Sequence, residues 1–228
     1  MEIINLTRRH PSIMQVKTSF IISFPYLKEI WLFNCCQGCQ HIIEKQYIKI
    51  SQISKIIITE VNIENISGLL GLLSSLSLIN RKKTLNIYSV KGIEQYLKFG
   101  KKYSQTNFRY NLYCHILKTG IIIKNENYQV YSFLNSSKFE FLLISRKLSG
   151  KFKLNQAQNF NLVMGPLYGK LKDGYIFLLP DGLIIEGQKF TDNSQSGLKV
   201  SLIINRYNQR NSLEISYRSK VLQGQLII

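Results

Sequence analysis

Histidine is scarce in this chain: His10, His41 and His115 are the only three in 228 residues. They are scattered, so no three-histidine metal centre can be assembled around any of the motifs below, and each reads as a polar or satisfied core residue. Acidic side chains are also few, thirteen Asp and Glu against thirty Lys and Arg, which leaves a net charge of +17. A domain this basic usually meets a polyanion, because neutralising phosphates releases counterions and steers encounter. The blander reading is a basic surface kept for solubility, or a compositional bias toward Ile, Lys and Asn of the kind an AT-rich coding genome produces. Long apolar runs are missing. The longest, Ile66 to Ile79, falls short of the ~20 residues that a bilayer requires, and "MEIINLTRRHPSIM" lacks the apolar stretch and cleavage site of a secretory signal. A soluble protein with no membrane contact is expected. The four cysteines do not make an evenly spaced disulfide framework, since three crowd into "NCCQGCQ", so a reducing compartment is expected.

What remains supports one α/β domain over residues 1–228, with 45% apolar residues to build its core. "VKTSFIISF" (16–24) and "EIWLFNC" (29–35) read as a hairpin around Pro25, and "QHIIEKQYI" (40–48) has helical spacing. "KIIIT" (55–59) is a continuous apolar run typical of a strand buried on both faces. A helix over 66–79, a strand at 84–90 and a helix at 91–100 follow, with short connections. Beyond residue 110, "YNLYCHIL", "GIIIKN", "YQVYSFL" and "KFEFLLISRKL" read as successive antiparallel strands. The segment 149–190, rich in Gly, Lys and Asn, reads as a projecting arm with a hairpin at "YIFLLPDGLIIEG". "VSLIINRYN" (200–208) is expected to be one more buried strand.

The strand at 55–59 stops at Glu60, Asn62, Glu64 and Asn65, just before an apolar helix. A metal site is commonly built in such a place. Three segments here resemble the ribonuclease Z family of the metallo-β-lactamase superfamily. "WLFNCCQGCQH" (31–41) resembles the family's Trp-Leu-Phe-Asp-Cys-Gly-Glu-Gly-Thr-Gln-His, and "IIITEVNIENISGLLGLL" its strand ending in Ile-Thr-His-x-His-x-Asp-His. "MGPLYGKLKDGYIFLLPDGLIIEG" is similar to the Gly-Pro-x-Tyr-x-x-Leu-Lys-x-Gly segment of the family's protruding arm. The likeness covers roughly residues 16–208, and to plastid-encoded algal homologues it is closer still, which implies the chloroplast stroma. The implied fold is an αββα sandwich of metallo-β-lactamase type, shortened at its C-terminal end, with a projecting β arm at about 147–190.

The family holds two zinc ions, and here this sequence departs from it. The ligand positions fall on Glu60, Asn62, Glu64, Asn65, Asn135 and Tyr207, and the family's final quarter has no counterpart. A neutral Asn carbonyl is a poor zinc donor, and two carboxylates suit at most a weakly held Mg²⁺ or Ca²⁺. No catalytic residues, no metal and no cofactor are expected. In "NCCQGC", Cys36 and Cys39 have metal-ligand spacing, but only Cys114 remains for a second pair. Small buried thiols are the expected reading.

The resemblance implies an arm that grips tRNA. Arg146, Lys147, Lys151, Lys153, Lys170 and Lys172 are the candidate RNA contacts, with Phe152, Tyr168 and Tyr175 available for stacking. The expected role is binding of tRNA precursors, or pairing with an active homologue, by a catalytically inactive relative. The rivals are a tRNA 3′-trailer endonuclease with an altered metal site, and a dimerisation partner that touches no RNA. A homodimer or heterodimer through the 66–79 region is expected. Truncation should leave one edge of the second half-sheet uncovered.

Overall fold

Alternation within two adjacent runs sets the layers. In the computed structural model, which describes residues 2–6, 19–135, 138–146, 150–180, 182–192, 197–203 and 210–223, β1 (Glu2–Asn5), β2 (Phe20–Phe24) and β3 (Glu29–Phe33) form an antiparallel meander. Phe20, Ile22, Phe24, Trp31 and Phe33 face a second sheet, whereas Ile21, Ile30 and Leu32 face a layer of helices. Both sets are buried, so β2 and β3 carry apolar residues on both faces, interrupted only by Ser23 and Glu29.

After β3 the chain runs through α1 (Cys39–Lys45) to the central strand β4 (Ile53–Ile57), then α2 (Ile63–Ile66), α3 (Leu69–Leu78), β5 (Leu85–Ser89), α4 (Ile93–Ser104) and β6 (Leu112–Ile116). Strands β3 to β6 are parallel neighbours, completing a six-stranded sheet in simple chain order. Leu69, Leu72, Leu73 and Leu76 of α3, with Ile43 of α1 and Ile93 and Leu97 of α4, cover its outer face. Two expectations change here. "YNLYCHIL" does not begin the antiparallel set: it is β6 and pairs in parallel with β5, Leu85 opposite Leu112, because α4 carries the chain back across the sheet. The helix expected over 66–79 is broken at Gly68, where a Cβ would lie 2.0 Å from the Cys36 carbonyl oxygen. Only glycine permits that approach.

The second sheet has the order β15 (Lys220–Gln223), β14 (Lys199–Ile203), β9 (Lys138–Ser145), β8 (Tyr128–Asn135), β7 (Gly120–Lys124). Strands β7 (Gly120–Lys124), β8 (Tyr128–Asn135) and β9 (Lys138–Ser145) are the expected antiparallel run. Its inner face places Val130, Phe139, Phe141 and Leu143 against Trp31 and Phe33.

Next comes the arm: β10 (Lys151–Phe152), α5 (Leu154–Asn159), α6 (Pro166–Lys172), the hairpin β11 (Ile176–Leu178) and β12 (Ile184–Glu186), and β13 (Thr191–Asp192), which closes on β10. The hairpin stands where the turn residues placed it. The remainder is not simply a β arm, because two short helices enclose a core of Ala157, Leu162, Leu171, Ile185 and Phe190. That core shares no residue with the clusters of the sandwich.

Strand β14 (Lys199–Ile203) returns to the second sheet, α7 (Arg210–Ser216) packs over it, and β15 (Lys220–Gln223) adds to it in parallel. The sheet gains one strand beyond β14, and its outermost strands among the described residues are β15 and β7. The outer face of this sheet is thinly covered by the described residues. Ile121 (52% exposed) and Ile144 (37%) stand out from it, and Tyr131 and Phe133 stack at 6.4 Å beside them.

Candidate functional site

In α/β folds, ligand sites lie at the C-terminal ends of parallel strands. At that end of β4 the backbone is fixed from below. Asn34, buried and in the left-handed region at φ 54°, accepts hydrogen bonds at Oδ1 from the Thr59 N–H (3.0 Å) and Thr59 Oγ1 (3.2 Å). Asparagine tolerates that conformation better than most side chains. Cys35 N–H donates to the Asn65 carbonyl (2.7 Å), and Gly68 N–H to the Cys35 carbonyl (3.0 Å). These bonds hold residues 59–68 as a rigid rim.

The structure brings Glu60, Asn62 and Asn65 together on this rim. Asn62 is the N-cap of α2: its Oδ1 accepts from the Asn65 N–H at 2.9 Å. Its Nδ2 donates to Glu60 Oε1 at 2.9 Å, and Asn65 Nδ2 reaches the same oxygen at 3.4 Å. The other carboxylate oxygen, Oε2, lies 3.5 Å from the ammonium of Lys138. Lys138 comes from the second sheet, where it stands opposite Asn135 at the end of the β8–β9 pair. Asn135 in turn donates to the buried Glu140 at 3.3 Å. Glu64, exposed in the first turn of α2, stands outside these bonds. Tyr207 and His10 lie outside the described residues.

Zinc requires lone pairs directed at one point. Here the Asn62 carbonyl is committed to its helix, two amide groups present N–H donors, and a lysine brings positive charge to the Glu60 carboxylate. Among the described residues, no group of three or more His, Cys, Asp or Glu side chains is placed to hold a metal. This donor set does not fit the family's zinc pair. Lys138 and Asn34 escaped the sequence reading. The signal for Lys138 was its place directly across a tight hairpin from Asn135.

Three cysteines lie beneath the rim. Cys35, Cys36 and Cys39 are buried, as expected, and Cys114 is half-buried. Cys35 donates to the Cys39 sulfur. That bond lowers the Cys39 thiol, while burial pushes Cys35 well up. His41 is exposed on α1. His115 stacks on Tyr88 at 4.7 Å with its Nε2 2.9 Å from Asn86 Oδ1, at the surface rather than in the core.

The arm sorts its candidates differently. Arg146, Lys151, Lys170 and Lys172 are exposed, the last two in the final turn of α6. Lys153 is half-buried and pairs with Asp192 at 2.7 Å across the base of the arm. Lys147 lies outside the described residues. Of the three aromatics, only Tyr175 is displayed, at 62% exposure. Phe152 packs on Tyr168 (5.0 Å) and Phe190 (6.3 Å), and Tyr168 donates its hydroxyl to the Leu162 carbonyl. Both are held by the arm's own small core instead of standing free to stack.

No protein-family profile matches the chain. Two packed mixed sheets with helices over the first define a metallo-β-lactamase-type fold. Human short-form tRNase Z superposes with a TM-score of 0.54 at 22% identity, over 64% of this chain and 65% of that one. A long-form RNase Z from yeast superposes at 0.52 and 18%, over 95% of this chain and 30% of that one. Within that class the chain belongs to the ribonuclease Z family. It is 32% identical to ribonuclease Z of Microcystis aeruginosa over 208 residues, 90% of this chain and 65% of that enzyme. Ribonuclease Z of Acaryochloris marina gives 31% identity, covering 90% and 66%. The ycf56 protein of Pyropia yezoensis is 40% identical over 196 residues, 84% of this chain and 74% of that protein. The chain therefore spans slightly less than two thirds of the length of the ribonuclease Z enzymes it matches.

Proposed function

We propose that this protein is a ribonuclease Z relative that has given up metal-dependent phosphodiester cleavage and acts by binding, holding a tRNA precursor or an active homologue. One observation carries the reading: Glu60, at a ligand position of the family, is hydrogen-bonded by Asn62 and Asn65 and charge-paired with Lys138. Two-metal hydrolysis works by holding a nucleophilic hydroxide and a phosphate between paired cations, and this network offers neither cation a seat. What remains is a basic chain, +17 overall, with exposed Arg146, Lys151, Lys170 and Lys172 on or beside the arm. The likeness to ycf56 proteins supports the plastid stroma as its place of action. No helix among the described residues is long and apolar enough to cross a membrane. Pairing with a homologue is supported by Leu78 and Ile79, exposed at the end of α3.

The test is binding of an unprocessed tRNA precursor across a salt series. A phosphate-gripping arm loses affinity steeply, by about tenfold or more between ~50 and ~200 mM salt. Alanine at Arg146, Lys151, Lys170 and Lys172 flattens that slope, while alanine at Lys153, already paired with Asp192, changes it least. Binding that ignores salt and these substitutions would discard the RNA role and leave the partner role.

A further inference from the structure

Strand β6 closes the first sheet and carries none of the usual guards of an edge: "LYCHI" has neither lysine nor proline and forms no bulge. Leu85 N–H donates to the Asn111 carbonyl (3.0 Å), and Leu117 N–H to the Ser89 carbonyl (2.8 Å). Parallel strands bond through alternate residues. Tyr113 and His115 therefore complete that ladder, while the N–H and C=O groups of Leu112, Cys114 and Ile116 point away from β5. Among the described residues no strand pairs beyond β6, and Tyr113 (52%) and Ile116 (49%) are open to solvent. A cavity of about 220 Å³ lies at the C-terminal end of this edge, with Ser89, Lys91, Gly92, Ile93, Cys114 and Ile116 in its wall.

We propose that the β6 edge and this cavity form a docking site for an extended, acidic segment of a partner protein, which adds to the six-stranded sheet as a further strand. The backbone argues for a strand: free N–H and C=O groups at every second residue match another peptide backbone, not a sugar–phosphate chain. Leu112 and Cys114 pack on the helix side of the sheet, so Ile116 shares that side. The cavity there takes an apolar side chain against Ile93. Charge argues for acid. Lys91 lines the cavity beside Glu94. Lys98 and Lys101, four and seven positions after Glu94, return to its side of α4, and exposed Lys118 follows β6 by two positions. These lysines outnumber Glu94 four to one, which favours carboxylates and disfavours a second copy of a chain carrying +17. The site uses neither the arm nor the family's ligand positions, so it stands or falls apart from the RNA reading.

The experiment follows amide hydrogen exchange in the nitrogen-15-labelled full chain by NMR, using as probe a blocked hexapeptide that alternates aspartate with valine. At saturation, exchange at Leu112, Cys114 and Ile116 should slow by about tenfold or more, while Tyr113 and His115, already bonded to β5, stay unchanged. A peptide alternating lysine with valine should leave all five amides unprotected. Lys91→Glu with Lys98→Glu should weaken the acidic peptide by about tenfold. Cys114→Pro, which removes an outward N–H that an edge strand can spare, should abolish its binding. Unchanged exchange with the acidic peptide, or equal slowing at Tyr113 and His115, would overturn the proposal. So would protection by the lysine peptide, protection that grows with protein concentration alone (a second copy), or protection by a tRNA precursor in place of the peptide. The wild-type pattern decides the matter even if a variant fails to fold.

Discussion

At the N-terminal ends of the parallel strands, Glu29 and Lys55 meet inside the sandwich; at the C-terminal ends, Glu60 meets Lys138. In the first pair the lysine is the enclosed partner, with Lys55 11% and Glu29 33% exposed. Lys55 lies 3.2 Å from Glu29, its ammonium over the rings of Trp31 (4.9 Å) and Tyr128 (5.5 Å), with Trp31 Nε1, Ser54 and the Tyr128 hydroxyl all donating to the same carboxylate oxygen. The second pair is looser, at 3.5 Å, with both side chains about a third exposed (32% and 30%). The comparison shows that this end of the fold keeps the architecture of a ligand site, a rim fixed by Asn34, Asn65 and Gly68. Its interior chemistry is that of a structural polar cluster, in which carboxylates meet amides and ammonium groups. Where the family is expected to place lone pairs, this chain places donors.

The sharpest way to separate the two ends is to remove a lysine from each. Lys55→Ala strands a carboxylate among aromatic rings and should cost about 3 kcal/mol in a urea titration, the lower end for breaking a buried pair because Glu29 is partly exposed. At the rim, Gly68→Ala drives a methyl group into the Cys36 carbonyl and should cost about 2 kcal/mol by the same measurement. Lys138→Met should cost no more than about 1 kcal/mol. A double-mutant cycle with Glu60→Gln should show coupling of about 0.5 kcal/mol. If Lys138→Met proves as costly as Lys55→Ala, the two ends are energetically alike and the comparison fails.

Acid should distinguish the ends more gently. Burial works to raise the Glu29 carboxyl, but the Lys55 charge and hydrogen bonds from Trp31, Lys55 and Ser54 outweigh it and hold the group below the usual glutamate value of 4.5. A carboxyl whose folded value is depressed binds fewer protons folded than unfolded. Its contribution is therefore full above 4.5 and is lost as pH falls through the lower folded value. Wild-type stability should decline over that window, and Lys55→Ala should decline less, as followed by thermal melts in a pH series.

Much of this was legible because it is local. The alternating and continuous apolar runs marked β2, β3, β4 and β7 to β9, and "TEVNIEN" marked a rim that carries no histidine. The misplacement of β6 has a physical cause. An edge strand with Tyr113 and Ile116 half exposed looks alike in either sheet, and only the crossover through α4 decides. The break at Gly68 depends on a carbonyl more than thirty residues earlier in the chain. Lys138 reaches Glu60 across seventy-eight positions of sequence, a contact that no spacing rule reports. The arm's core likewise joins Ala157 to Phe190 through residues that look polar and loop-like in the string.

The central claim is tested most directly by elemental analysis of the purified, folded chain after equilibration with zinc, performed beside a trailer-cleavage assay on a tRNA precursor. The proposed loss of the zinc pair predicts well under one zinc per chain and no cleavage. About two tightly held zinc ions per chain, released only by a strong chelator and accompanied by cleavage, would contradict it.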